Sequence, residues 1–358
     1  MQHEHLNALA IHAFYCGEHD AGRRACDRLL GLEIDERLER QTRANRTWYT
    51  PRLADLIPVT FARIEIEPAA PGWSLFNPTV IAHAGGLLAI VRSSNYRIDG
   101  DGRYVIPPED GDRIRTTNLL VDLDADLRPS NRREITLPDY ERSGYPVEGF
   151  EDCRLRATPA GLAVSATVRD AAGWDGRCRI ATADLDPATG ALSRMRILEW
   201  EGLGVHEKNW APIEGRAGWL YASRHGGYTV SVQADAGLPG VYEVLRHGAA
   251  PRLADGFRGG SQLVRVRDGW LTVVHEVAVM ESGRRAYEHR FLWFDDSLTL
   301  ARWSPLFAFR EPRAIEFAAG LARHGDGRLV VTFGVRDAEA WTADLSEVDV
   351  CQLLAPVS

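Results

Sequence analysis

Glu151-Asp152-Cys153-Arg154 sets two carboxylates side by side with an arginine two positions on, inside a stretch, Tyr145 to Arg156, that alternates into apolar residues as a strand does. A carboxylic acid held in a polar pocket is a general acid, and an arginine on the same face tunes or orients it. Successive strand side chains point to opposite faces, so Glu151 and Asp152 are expected in different environments, with Arg154 beside Asp152. One carboxylate then faces a cavity while the other ties the strand down. The competing reading is a solvated strand laced by ion pairs, because such clusters are common on surfaces. Nothing local chooses between the two carboxylates.

Further polar residues recur near the ends of apolar runs: Asn77-Pro78, Arg92, Lys208-Asn209, Arg224-His225, Arg258 to Gln262, His275-Glu276 and Glu316. Each has a plain alternative. Arg92 can pair with a surface carboxylate, Lys208 can be a solvated lysine at a strand start, and His275 can be a hydrogen-bonded core histidine. Glu316 is an edge-strand charge or a carboxylate that receives sugar hydroxyls. Trp210, Tyr221 and Tyr287 either floor a sugar subsite or fill the core.

The elements that must position these residues show two regimes. From Asn7 to Asn45 apolar residues recur at helical spacing, with Gly17-Glu18-His19-Asp20 as a turn and a third helical stretch over Ile34 to Arg43. Ala10 to Leu30 resembles one helical hairpin of a tetratricopeptide repeat, which cannot bury its own apolar face and must pack on the chain or on a protein partner. After Pro58 short β-type runs take over. A glycine followed by a bulky apolar run returns at Gly86, Gly161, Gly218, Gly269 and Gly327, roughly every 50 to 75 residues, room for about four strands each. The reading is mainly β: a helical segment over 1–50 and a five-bladed β-propeller over 60–358, whose inner strands bring distant polar residues to one funnel. A pair of β-sandwiches is the alternative.

With 358 residues, 45% hydrophobic, 26% charged and a net charge of −8, the chain has a globular composition and no basic block, which argues against nucleic acid as a partner. Cys16, Cys26, Cys153, Cys178 and Cys351 form no CxxC pair and read as reduced thiols of a cytoplasmic protein. No secretion signal and no membrane-length apolar run is visible. GxSxG, HExxH, P-loop and GxGxxG-helix patterns are missing, and no metal or organic cofactor is expected.

In order along the chain, Asn77-Pro78, Glu151-Asp152-Cys153-Arg154, Lys208-Asn209 with Pro212, Gly269-Trp270-Leu271 leading to His275, Glu316, Gly320, and Phe333-Gly334 with Asp337 resemble glycoside hydrolase family 130, the five-bladed propellers that include β-mannoside phosphorylases. The resemblance implies that Asp152 is the proton donor, passing its proton through a sugar hydroxyl while inorganic phosphate, as co-substrate, attacks the anomeric carbon with inversion. It also implies an anion site at Arg92, Lys208, Arg224 and His275, and substrate contacts from Asn77, Glu151, Arg154, Asn209, Trp210, Tyr287, Glu316 and Asp337. Two features depart from the family: Cys153 stands where it has proline, and the N-terminal helices are not those of the phosphorylases. The related glycosyltransferase family 108 uses the same propeller for mannosyl transfer, so transfer during surface-glycan assembly and non-catalytic glycan binding stand as alternatives. Hydrolysis would need a second carboxylate such as Glu316 or Glu276 as base.

Overall fold

The computed structural model describes residues 2–199, 204–216, 218–223, 227–233, 242–249, 251–325 and 327–357. Helices α1 (Gln2–Tyr15) and α2 (His19–Leu30) are joined at Gly17, whose φ of +75° turns the chain. Helix α3 (Glu36–Arg46) starts at Asp35, whose carboxylate accepts from the Leu38 N–H at 2.9 Å. That cap sets the helix two residues later than the apolar pattern predicts, and it runs on to Arg46. Helix α2 buries Gly22, Ala25, Cys26, Leu29 and Leu30, the three-to-four spacing seen in the sequence. Tyr49 closes the bundle by donating its hydroxyl proton to the Ala10 carbonyl at 2.7 Å.

The helices dock on the β-structure through charge. Buried Arg46 reaches Glu276 at 2.7 Å and Glu288 at 2.9 Å, and Arg43 reaches Glu276 at 2.7 Å. Glu276 and Glu288 face each other on paired strands.

The strands take a propeller arrangement of antiparallel sheets. One sheet is Glu151–Thr158, Gly161–Val168, Arg179–Leu185 and Leu192–Ile197; another is Ala211–Pro212, Gly218–Ser223, Gly227–Gln233 and Tyr242–Ala249. Ser74–His83, Gly86–Ser94, Ile114–Leu123 and Pro129–Glu134 form a third, to which Val147–Glu148 adds in parallel. Around Gly269–Val279 lie Arg258–Gly259, Val264–Val266, Arg285–Phe294, Leu300–Trp303 and the C-terminal Ala355–Pro356. In the last, Glu316–His324, Arg328–Val335 and Glu339–Ser346 are completed by Val59–Arg63, so the start of the β-region closes its end. The expectation of five like blades is thereby corrected. Regular four-stranded sheets number fewer than five among the described residues, because a loop segment and the chain's C-terminus add strands to two sheets while the inner edge of one is split in two.

The inner strands meet closely. Gln262 donates to the Val80 carbonyl at 2.6 Å and accepts from the Leu321 N–H at 3.3 Å, tying its own segment to two neighbouring sheets. Gly320 is required at this axis: a Cβ there would stand 2.5 Å from the Val80 nitrogen.

Candidate functional site

Four of the polar residues singled out in the sequence share a rare backbone conformation. Asn77 (φ 46°), Asp152 (φ 50°), Asn209 (φ 60°) and Asp337 (φ 50°) are all left-handed, the region that Asn and Asp enter most readily among non-glycine residues. Strand pairing slips between Phe76 and Thr79, and again opposite Asp152 between Ser165 and Thr167. Such a bulge re-aims a side chain. Asp152 therefore turns into the same cleft as Glu151, and the expectation of separate environments is overturned.

That cleft has a volume of about 390 Å³. Asn77, Arg92, Glu151, Asp152, Lys208, Asn209, His275, Tyr287 and Asp337 all line it, drawn together from across the β-region. Asp152 accepts from Asn77 Nδ2 at 2.8 Å and from Arg92 Nη1 at 3.0 Å. Arg92 also lies 3.6 Å from Glu151, and Lys208 Nζ is 3.8 Å from the other Glu151 oxygen. Asp337 accepts from the Tyr96 hydroxyl at 2.9 Å.

The electrostatics follow from these contacts. Burial pushes the Asp152 carboxyl up, but Arg92, Arg154, the Asn77 amide and Lys208 together more than offset it and hold it below the ordinary aspartate range. Asp337, buried and close to Asp152, is raised, because Arg92 only partly compensates. Burial acts to lower Lys208, yet Glu151, Cys178 and Asp152 together outweigh it, raise it and keep the ammonium charged. His275 is different. Burial, then His289 and Arg258, press it well below the usual histidine value, so it is a neutral ring stacked 5.3 Å from Tyr287 and offers polarity without charge.

Three predicted contacts do not line the cleft. Arg154 is buried behind it, donating to the Asp152 carbonyl at 2.6 Å, the Gly260 carbonyl at 2.8 Å and Asn209 Oδ1 at 3.2 Å, so it positions two cleft residues without facing a ligand. Trp210 turns inward against Ile180, Leu198 and Trp219 and donates its indole N–H to Glu207 at 3.0 Å. Glu316 is fully buried and accepts the backbone N–H groups of Phe309, Arg310 and Glu311. Burial lifts its carboxyl to about 7 against those three donors. Glu276, bound to Arg43 and Arg46, does not line the cleft either, so neither carboxylate considered as a hydrolytic base stands in it. Arg224 lies outside the described residues. Cys153 is buried among Phe150, Leu155 and Val164, where burial pushes its thiol up to about 12.

The cleft also holds Arg258, one of the polar residues expected at the funnel, and Tyr96, Tyr104, Arg169, Arg285 and Phe317, which the sequence did not single out. Strand periodicity was a usable signal for some: Arg285 is two residues from Tyr287 on one strand, and Arg258 pairs directly with His275. Tyr104 arrives on a two-stranded excursion, Arg97–Ile98 with Tyr104–Val105, too short to carry a pattern.

The fold is a β-propeller, and solved structures resemble it across most of the chain. A β-1,2-mannobiose phosphorylase from Listeria innocua, in complex with β-1,2-mannobiose, has a TM-score of 0.50 and 13% identity over 82% of this chain and 99% of its own. A glycosyl hydrolase from Bacteroides ovatus gives 0.49 and 13% over 86% and 99%. A mannose phosphorylase from Leishmania mexicana, in complex with a phosphate ion, gives 0.48 and 11% over 85% and 93%. At such identities what is shared is the fold. No protein-family model matches the chain, and no curated protein does.

Proposed function

We propose that the chain is an inverting carbohydrate-active enzyme that cleaves β-mannosides or related oligosaccharides by phosphorolysis, with Asp152 as general acid. The observation that carries this reading is Asp152 itself, bound by Asn77 and Arg92 in a polar cleft that also holds Lys208, Arg258 and Arg285. In the reaction a phosphate oxygen attacks the anomeric carbon, the glycosidic C–O bond breaks, and the proton of Asp152 reaches the leaving oxygen through a sugar hydroxyl. The products are a sugar 1-phosphate and a saccharide one unit shorter. Cationic side chains hold the phosphate without competing as nucleophiles. Asn77, Asn209, Tyr287 and Asp337 are assigned to the sugar, Arg92 and Lys208 to the anion, and the neutral His275 to a supporting hydrogen bond. The named mannobiose phosphorylase makes short β-mannosides the first substrates to try.

The test is release of sugar 1-phosphate from short β-mannosides. It should require added phosphate and fall by ~10²–10⁴-fold in Asp152→Asn. A wild-type protein that releases nothing with phosphate across a broad oligosaccharide panel sinks phosphorolysis. Product formed from a labelled nucleotide sugar or sugar 1-phosphate would instead indicate transfer, and a glycan bound unchanged would indicate a recognition propeller.

A further inference from the structure

Beside the cleft, and sharing Arg285 and Ile315 with it, lies a second cavity of about 570 Å³. Its walls come from the excursion at Ile98–Gly102, the turn at Met280–Arg285 and the segment Glu311–Ile315, with Arg336 at one side. Four arginines face two acids there, and both acids are already engaged. Asp99 accepts the backbone N–H groups of Asp101 and Arg103 within its own turn, and Glu311 pairs with Arg336.

Arg284 and Arg313 have no carboxylate partner among the described residues, although they are near enough for Arg284 to depress Arg313 alongside burial. Two like charges so placed repel, and an oxyanion between them removes the repulsion and gains charge-assisted hydrogen bonds. Arg313 is also held in place. Its guanidinium lies 3.4 Å from the centroid of the Trp48 ring, just beyond helix α3, and its backbone is left-handed at φ 68°. Arg313 is exposed, and the stacking on Trp48 is what fixes its guanidinium. Arg285 and Ile315 line both cavities, so a ligand that spans the two would run past these side chains.

We infer that the second cavity binds an acidic group, a carboxylate, phosphate or sulfate, carried by the saccharide whose neutral part lies beside Asp152. The inference rests on the proposed carbohydrate function and narrows its substrates to acidic glycans.

Calorimetric titration of the full chain in phosphate-free buffer, using β-mannobiose and its uronate, phosphate-ester and sulfate-ester derivatives, tests it. The acidic forms should bind ~10-fold or more tightly than the neutral one, and the advantage should disappear in the Arg284→Ala/Arg313→Ala double variant while the neutral disaccharide binds as before. Arg313→Lys, which keeps the charge but not the planar fork, should retain part of it. Preference for the uronate alone, or for an ester alone, supports the inference and names the source of the charge. Equal binding of neutral and acidic forms, or an acid preference that survives the double substitution, overturns it and leaves the carbohydrate reading standing. Failure of every saccharide to bind overturns both.

Discussion

Asp152 presents a conflict between its assigned role and its surroundings. A general acid must carry a proton, yet Asn77, Arg92, Arg154 and Lys208 favour the ionised carboxylate. A bound phosphate changes that balance. It draws on Arg92 and Lys208 and sets negative charge near Asp152, and both effects raise the carboxyl pKa. The sign is testable. With a free-enzyme pKa below the usual value, kcat/KM should fall as pH rises through that low value, whereas kcat at saturating phosphate should hold to a higher pH. Coincident alkaline limbs in the two profiles would show that the anion does not retune Asp152. At this scale the sequence was legible for residue identity and less so for direction. The Asn and Asp positions are chemically suited to positive φ, but strand alternation, applied without the bulge, sent Glu151 and Asp152 apart.

At the scale of elements, the docking of α3 is the contact with most at stake. Arg46 is 1% exposed, with Glu276 and Glu288 as buried partners and Thr50 and Arg290 close by. Its removal leaves two buried carboxylates short of a cation, so Arg46→Ala should cost about 3–5 kcal/mol in chemical denaturation. The double variant Arg46→Met/Glu288→Gln removes Arg46 together with the carboxylate that, among the described residues, it alone is seen to pair, leaves Glu276 to Arg43 and Arg290, and should lose much less. If the single and double variants are equally unstable, the loss is one of packing and the ion network is not what holds the helices. Glu276 follows cleft-lining His275 on one strand, so this dock also borders the candidate site. Helices and strands were the most legible level. Each repeated glycine opens or immediately precedes a strand, in a different sheet each time, because a turn residue before an apolar run is a local instruction. The partner of the helical hairpin was not legible, because Arg46 and Glu276 are 230 residues apart.

The whole molecule is closed by its ends. Val59–Arg63 pairs along its length with Trp341–Leu345, and Ala355–Pro356 returns to Leu300–Trp303. Neither pairing had a signal in the sequence, since a short strand does not announce its neighbour. Closure matters because an open sheet edge at Glu339–Ser346 would offer unpaired backbone groups to other molecules. Phe61 is the apolar anchor of the closing strand. It meets Phe333 edge-on at 6.0 Å, and Phe333 stacks on Phe309 at 4.2 Å. Phe61→Ser removes that anchor and leaves α1 to α3 in place. It should lower stability by about 2 kcal/mol and promote concentration-dependent association through the loosened edge, whereas Arg63→Ser, at an exposed position, should do neither. If closure makes the sheets one cooperative unit, tryptophan fluorescence and far-ultraviolet circular dichroism of the wild type should report a single coincident transition. Two separated transitions, or a Phe61→Ser variant as stable and monomeric as wild type, would mean that the ring holds without its closing strand.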